Sequence, residues 1–209
     1  IEEMKIKIRK ELDEVIKLGS VKAEELAGWL DKSVKTKTPN YLSEKETEAL
    51  YMGCKNAEER YIIATFFDGG GRIEENLNVR MEDIQLPENG EQFVKITLRE
   101  EFSKTKGRTI SLYWKHSLNA VRDYLNQRIA EGIKKEEPVL NKPYDSVRFF
   151  LKRSGNNILK KPIYPHLFRH SSATYYATRM NRQELCYRYG WSFTSDMPDI
   201  YISRSGMEN

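Results

Sequence analysis

Pro165-His166-Leu167-Phe168-Arg169-His170-Ser171-Ser172-Ala173-Thr174 and, further on, Tyr189-Gly190-Trp191-Ser192-Phe193-Thr194-Ser195-Asp196-Met197-Pro198-Asp199-Ile200-Tyr201 frame the stretch on which the reading of this chain turns. On a helix, residues three and four apart share a face, so His166, Arg169 and His170 can point into one pocket. Tyr201 brings a hydroxyl in a polar context near the end of the chain. A base, an anion clamp and a hydroxyl suit nucleophilic attack on a phosphate. The remaining parts have to come from elsewhere in the chain.

Upstream of Pro165, the pattern is mostly helical with one small sheet. Ser43 and Glu46 make a capping box for a helix reaching about Cys54, and the apolar segment Ala57–Phe67 reads as a buried helix. That helix stops at Asp68-Gly69-Gly70-Gly71, and Arg72 opens a short one through Val79. Residues Gln92–Leu98 alternate as a strand and Arg108–Tyr113 as a second, so Lys104-Thr105-Lys106-Gly107 becomes the basic tip of a β-hairpin. Leu118, Val121, Leu125 and Ile129 mark one helix face, and Asp145 to about Ser154 another helix, with Gly155 as its C-cap. Lys160–Pro165 is a basic connector, and Arg182–Tyr189 is a helix ended by Gly190. At the front, Glu3–Leu18 is amphipathic, Leu26, Trp29 and Leu30 form a second short piece, and Lys32–Asn40 reads as a linker. Residues 1–39 are therefore expected to be a helical remnant of a larger domain or an arm docked elsewhere, ending in a basic linker, and 40–209 the main α+β domain.

Composition narrows the class. No apolar run approaches the roughly 20 residues that span a bilayer. The net charge of +4 permits nucleic-acid binding without demanding it. Two cysteines far apart in sequence and three histidines in all argue against a metal site and for reduced thiols. No secretory signal is visible, and the opening residue Ile1 suggests a trimmed start.

Taken singly, the candidate groups have ordinary explanations. Arg72 after three glycines is an anion site at a helix start, or a surface arginine behind a breaker. Glu75 shares its helical face and can orient it, or form a plain solvent ion pair. Lys104 and Lys106 reach into a groove, or blunt a strand edge. Trp191 fills a core, or donates its indole N–H. Their order, however, resembles the tyrosine recombinase (phage integrase) family from about Asn40 to the end. The family's Thr-Gly-x-Arg-x-x-Glu-Leu motif aligns with Asp68-Gly69-Gly70-Gly71-Arg72-Ile73-Glu74-Glu75-Asn76, with Asn76 in place of leucine at the cost of a core contact. Its hairpin lysine falls on Lys104, with Lys106 as the fallback, and its His-x-x-Arg-His falls on His166, Arg169 and His170. Its Leu-Gly-His appears as Tyr189-Gly190-Trp191, and its nucleophile as Tyr201, ten residues beyond Trp191 and one more than is common. Many relatives carry a further C-terminal helix, which here is expected to be short, absent or trimmed.

What the resemblance implies is the catalytic-domain fold of these enzymes and metal-free, nucleotide-free DNA cleavage through a 3′-phosphotyrosyl bond. Tyr201 would attack, Arg72 and Arg169 would clamp the phosphate oxygens, and Trp191 would donate to them. His166 would take the tyrosine proton, Lys104 would protonate the departing 5′ oxygen, and Glu75 and His170 would support the clamp. A tyrosine hydroxyl ordinarily ionises near pH ~10, so it needs such help at neutral pH. Lys106, Arg108, Lys160 and Lys161, with Lys32, Lys35 and Lys37 in the linker, are the expected phosphate contacts. The implied partners are double-stranded DNA attachment sites and three further copies of the chain, in a synaptic homotetramer. The implied setting is the cytoplasm of a prokaryote, the chain being encoded by a virus, plasmid or other mobile element. The rival readings are a type IB topoisomerase, which relaxes DNA as a monomer, and a DNA-binding relative without activity.

Overall fold

A computed structural model describes residues 41–88 and 91–206. The arm and linker expected over 1–39 lie outside the described residues, as do Lys32, Lys35 and Lys37. The described helices are α1 (Glu44–Met52), α2 (Ala57–Gly69), α3 (Ile73–Leu77), α4 (Ser117–Ala130), α5 (Tyr144–Ser154), α6 (Pro165–Ala177), α7 (Arg182–Tyr189) and α8 (Met197–Gly206). The described strands are β1 (Ile84–Gln85), β2 (Val94–Leu98) and β3 (Arg108–Leu112).

The apolar segment of α2 is the centre of the core. Every residue from Tyr61 to Gly69 is buried, and the helix packs between α4 and α6. Asn56 caps its start by accepting the Glu59 N–H at 2.8 Å. Its end is set by Gly70 in the left-handed region at φ 60°, where a Cβ would come within 2.6 Å of both Tyr189 and Ser172. Glycine is needed there for conformation and for space. The α1 capping box forms as read, Ser43 Oγ accepting the Glu46 N–H at 3.2 Å and Glu46 accepting the Ser43 N–H at 2.8 Å.

The sheet is antiparallel in the order β1-β2-β3, with Ile84 opposite Ile96 and Val94, Ile96 and Leu98 opposite Leu112, Ile110 and Arg108. One face of β2 and β3 is buried in strict alternation. Three features differ from the sequence reading. A third strand, β1, joins the hairpin; at two residues it is too short to show a period. The connection between β2 and β3 is the longer segment 99–107, with a 3₁₀ turn at Glu100–Phe102, because the hydroxyls of Ser103 and Thr105 are bonded inside it. Gly155 does not cap α5. At φ −60° it continues into one π-helical turn, Gly155–Leu159, and Lys160 takes the left-handed position at φ 54°. A Cβ at Gly155 would lie 2.5 Å from the Lys161 carbonyl oxygen, so that glycine serves close packing. In α4, Ala120, Val121, Tyr124 and Leu125 face the core while Ile129, at the last turn, is exposed.

A buried ion pair ties these layers together. Arg188 of α7 donates to the Asp68 carboxylate at 3.1 Å and to the Ser111 carbonyl at 2.9 Å, with its guanidinium 3.9 Å above the Tyr176 ring. Asp68 also accepts from the Trp114 N–H at 2.7 Å, the Ser117 hydroxyl at 2.5 Å and the Tyr176 hydroxyl. Removing one partner of a buried pair strands the other charge. Asp68→Ala should therefore lower unfolding stability by about 3–5 kcal/mol in urea titrations. A loss below about 1 kcal/mol, the scale of a surface pair, would contradict the structural role.

Candidate active site

The site is built from four segments that meet beside the C-terminus of α2. Arg72 follows Gly71 and stands at the N-cap of α3, where its backbone N–H donates to Glu75 at 2.7 Å and its Nη1 to the same carboxylate at 3.3 Å. Asn76, the departure from leucine, is buried and donates to the Gly71 carbonyl at 3.1 Å, bracing the chain just before Arg72. With α3 only five residues long, the helix-start anion site read from the glycines reduces to the Arg72 side chain.

Arg169 on α6 is buried, and two backbone carbonyls orient it. Its Nη1 donates to Gly70 at 2.8 Å and its Nη2 to Tyr189 at 2.6 Å. Burial, then the charge of Arg72, lowers its pKa to about 10, so it remains a cation at neutral pH. A buried guanidinium with a second one close enough to act on it is matched to an anion. His166, exposed one turn earlier, is held below its ordinary value of 6.5 by partial desolvation and by Arg169 and Arg72. It is consequently neutral at pH 7 and able to accept a proton.

Arg72, Lys104 and His166 line one cleft of about 660 Å³. Tyr201, Trp191, His170 and Arg169 form an adjoining cluster. Tyr201 lies within helix α8, is 2% exposed, and its hydroxyl is 2.5 Å from His170 Nδ1. Its ring stacks on Trp191 at 5.4 Å and 5°, and Trp191 stacks in turn on Tyr189 at 4.8 Å, with the Arg169 guanidinium 5.8 Å from the indole. The rings of His166 and His170 meet at 4.6 Å and join cleft to cluster. It is thus His170, read from the sequence as a support, that touches the tyrosine, whereas His166 faces the cleft.

The expected DNA contacts divide. Lys106 and Lys160 are exposed. Lys161 instead bonds the Tyr41 carbonyl at 2.8 Å and Glu46 at 3.1 Å, anchoring α1. Arg108 points inward: it is 5% exposed, donates through both Nη atoms to Glu75 at 3.1 and 3.0 Å, and through Nε to the Arg188 carbonyl at 2.8 Å. As placed, Arg108 serves the interior rather than a DNA phosphate. The clue was present in the strand period, since Arg108 shares parity with the core residues Ile110 and Leu112. Sequence reasoning missed Arg148, Tyr144 and Tyr164, which line the cleft with Arg72 and Lys104. Arg148 is exposed and has no ion-pair partner among the described residues. Its i, i+4 relation to Tyr144 was the available signal.

The family model described as the phage integrase family matches residues 40–206. The chain belongs to that family. Among curated relatives, the tyrosine recombinase XerA of Saccharolobus solfataricus is 26% identical over 153 residues, 70% of this chain and 48% of the relative. Transposase A from transposon Tn554 of Staphylococcus aureus is 26% identical over 157 residues, 68% and 42% of the two chains. The chain thus spans somewhat less than half the length of these curated relatives. The fold resembles that of the XerH site-specific recombinase bound to its difH substrate in a pre-cleavage complex, with TM-score 0.62 and 20% identity, covering 78% of this chain and 50% of that one. The architecture is that of a tyrosine recombinase catalytic domain.

Glu75 supplies a pH test of the site's frame. Burial alone would raise its pKa, but Arg108, Ser103 and the Arg72 N–H outweigh it and pull it from 4.5 to about 2. A folded-state value below the unfolded one means stabilisation that is complete above pH 4.5 and is lost as pH falls toward about 2. Urea midpoints at pH 6 and pH 3 should therefore drop further in the native protein than in Glu75→Gln; equal drops would contradict this wiring.

Proposed function

We propose that this chain is the catalytic part of a site-specific DNA recombinase that cuts and rejoins strands through Tyr201. The observation that carries the reading is that Arg72 on the cleft and Arg169 in the adjoining cluster, from distant segments, lie near enough for the charge of one to act on the other, while that cluster holds a tyrosine hydroxyl against a histidine. Phosphoryl transfer depends mainly on positioning and on neutralising charge at the non-bridging oxygens. Arg72 and Arg169 hold those oxygens with the N–H groups not spent on Glu75, Gly70 and Tyr189. Trp191 adds its indole N–H.

Tyr201 is buried against His170, so that attack requires α8 to turn the hydroxyl toward the cleft. There His166, neutral at pH 7, takes the proton as the tyrosine oxygen bonds to phosphorus. The bond from phosphorus to the 5′ oxygen breaks with its electron pair, and Lys104 supplies the proton to that oxygen. The products are a 3′-phosphotyrosyl bond and a free 5′ hydroxyl. Reversal on a partner strand completes exchange, in a homotetramer of the chain on paired duplexes. Lys106, Lys160 and Arg148 hold the flanking phosphates. The setting is the cytoplasm of a prokaryote, with the protein encoded by a mobile element; none of the described helices is long and apolar enough to cross a membrane.

A nicked suicide duplex bearing the attachment site should yield a covalent adduct on a denaturing gel, and Tyr201→Phe should yield none. An adduct that survives in Tyr201→Phe would remove the nucleophile assignment, and no adduct from the native chain would remove the enzymatic reading. Arg169→Lys should slow adduct formation by about 10²–10³ while leaving duplex affinity within a few-fold, because lysine cannot reproduce the two-pronged clamp. Equal loss of both would contradict the clamp. Arg148→Ala should weaken binding to all duplexes alike and reduce the slope of log K against log salt by about 1 in anisotropy titrations. An unchanged slope would take Arg148 off the phosphate backbone.

A further inference from the structure

The segment that carries Lys104 is held by an arrangement of hydroxyls for which no role has been assigned. Ser103 Oγ donates to Glu75 Oε1 at 2.5 Å, accepts the Thr105 N–H at 3.1 Å and lies 2.9 Å from Thr105 Oγ1. A serine hydroxyl has one donor and two acceptor positions, and here all three are used. On the far side, Thr105 packs against the turn that leads into Trp191: a Cβ added to Gly190 would lie 2.4 Å from Thr105 Oγ1. Between these two fixed residues stands Lys104, exposed on the cleft with no ion-pair partner among the described residues.

We propose that Ser103 is a positioning residue, which ties the lysine loop to the buried Glu75 carboxylate and so aims the Lys104 amine at the departing 5′ oxygen. The proposal rests on the acid role given to Lys104 above. A flexible four-carbon side chain is a poor proton donor unless its base is fixed, since the bound geometry supplies much of the rate. Glu75 gives the loop the same anchor that orients Arg72 and Arg108, so the acid and the clamp share one reference point. Deleting the Ser103 hydroxyl leaves Glu75 paired with both arginines, and a folded protein with a loosened loop is the expected result.

The test compares two leaving groups. In a duplex whose scissile linkage carries sulfur in place of the 5′ bridging oxygen, the Tyr201 oxygen still bonds to phosphorus. The bond from phosphorus to sulfur breaks, and the thiolate leaves with the electron pair. A thiol is acidic enough, with a pKa near 8.5, to depart unprotonated, so the step no longer needs Lys104. On the ordinary oxygen duplex, Ser103→Ala should cleave about 10–100-fold more slowly than the native chain, a share of the 10²–10⁴ that general acids contribute. On the sulfur duplex, both Ser103→Ala and Lys104→Ala should return to within about threefold of native, as an acid defect alone is bypassed there. If Lys104→Ala recovers with sulfur and Ser103→Ala does not, Ser103 acts through the arginine clamp and the proposal is overturned. If Lys104→Ala itself fails to recover, the acid role of Lys104 falls, and the positioning role falls with it. Should Ser103→Ala fail to fold, Thr105→Val removes the other half of the hydroxyl pair and carries the same expectations.

Discussion

A single buried carboxylate holds the cleft together. Glu75 is 1% exposed and gathers the Arg108 fork, the Arg72 backbone and side chain, and the Ser103 hydroxyl. A carboxylate taken out of water is tolerated only when nearly all its lone pairs are matched. The partners of Glu75 come from α3, from the loop between β2 and β3, and from β3 itself. Satisfying one charge therefore brings three segments to a common point, and Arg108 extends the link to α7 through the Arg188 carbonyl.

Asp68 repeats this logic on the other side of Gly70. Its pairing with Arg188 fixes the end of α2 against α7, and Arg169 then finds the carbonyls of Gly70 and Tyr189 at the two edges of that joint. Arg169 is thereby positioned by backbone geometry, which tolerates less drift than a second flexible side chain. Four glycines and carboxylates in the stretch 68–75 carry most of this: Asp68 and Glu75 for charge, Gly70 for conformation, Gly71 for the close approach of Asn76.

The helical frame was legible because its signals are local. Ser43 with Glu46, the glycines after α2 and α7, and the apolar run at 61–67 all act within a turn or two of themselves. Arg72, Glu75, Lys104, His166, Arg169, Trp191 and Tyr201 were legible as an ordered set, and the fold brings the segments that carry them side by side. What escaped was decided by tertiary partners. Gly155 looked like a cap until the nearby Lys161 carbonyl claimed its space. Arg108 and Lys161 looked like surface cations until buried or distant acceptors were available to them. Charge alone does not say which way a side chain points, although the strand parity of Arg108 did. The exchange of places between His166 and His170 depends on where α8 docks, and nothing in the polar stretch 192–200 encodes that docking locally.

The central claim is that this charge-matched frame serves one nucleophile, Tyr201. Peptide mapping of the covalent DNA adduct reaches it most directly. After nuclease and trypsin digestion, the peptide spanning residues 189–204 contains both Tyr189 and Tyr201, and fragmentation separates them. The account predicts a nucleotide joined through phosphate to Tyr201 alone. A nucleotide on Tyr189, on Tyr164 of the cleft wall, or on any residue outside that peptide would contradict it.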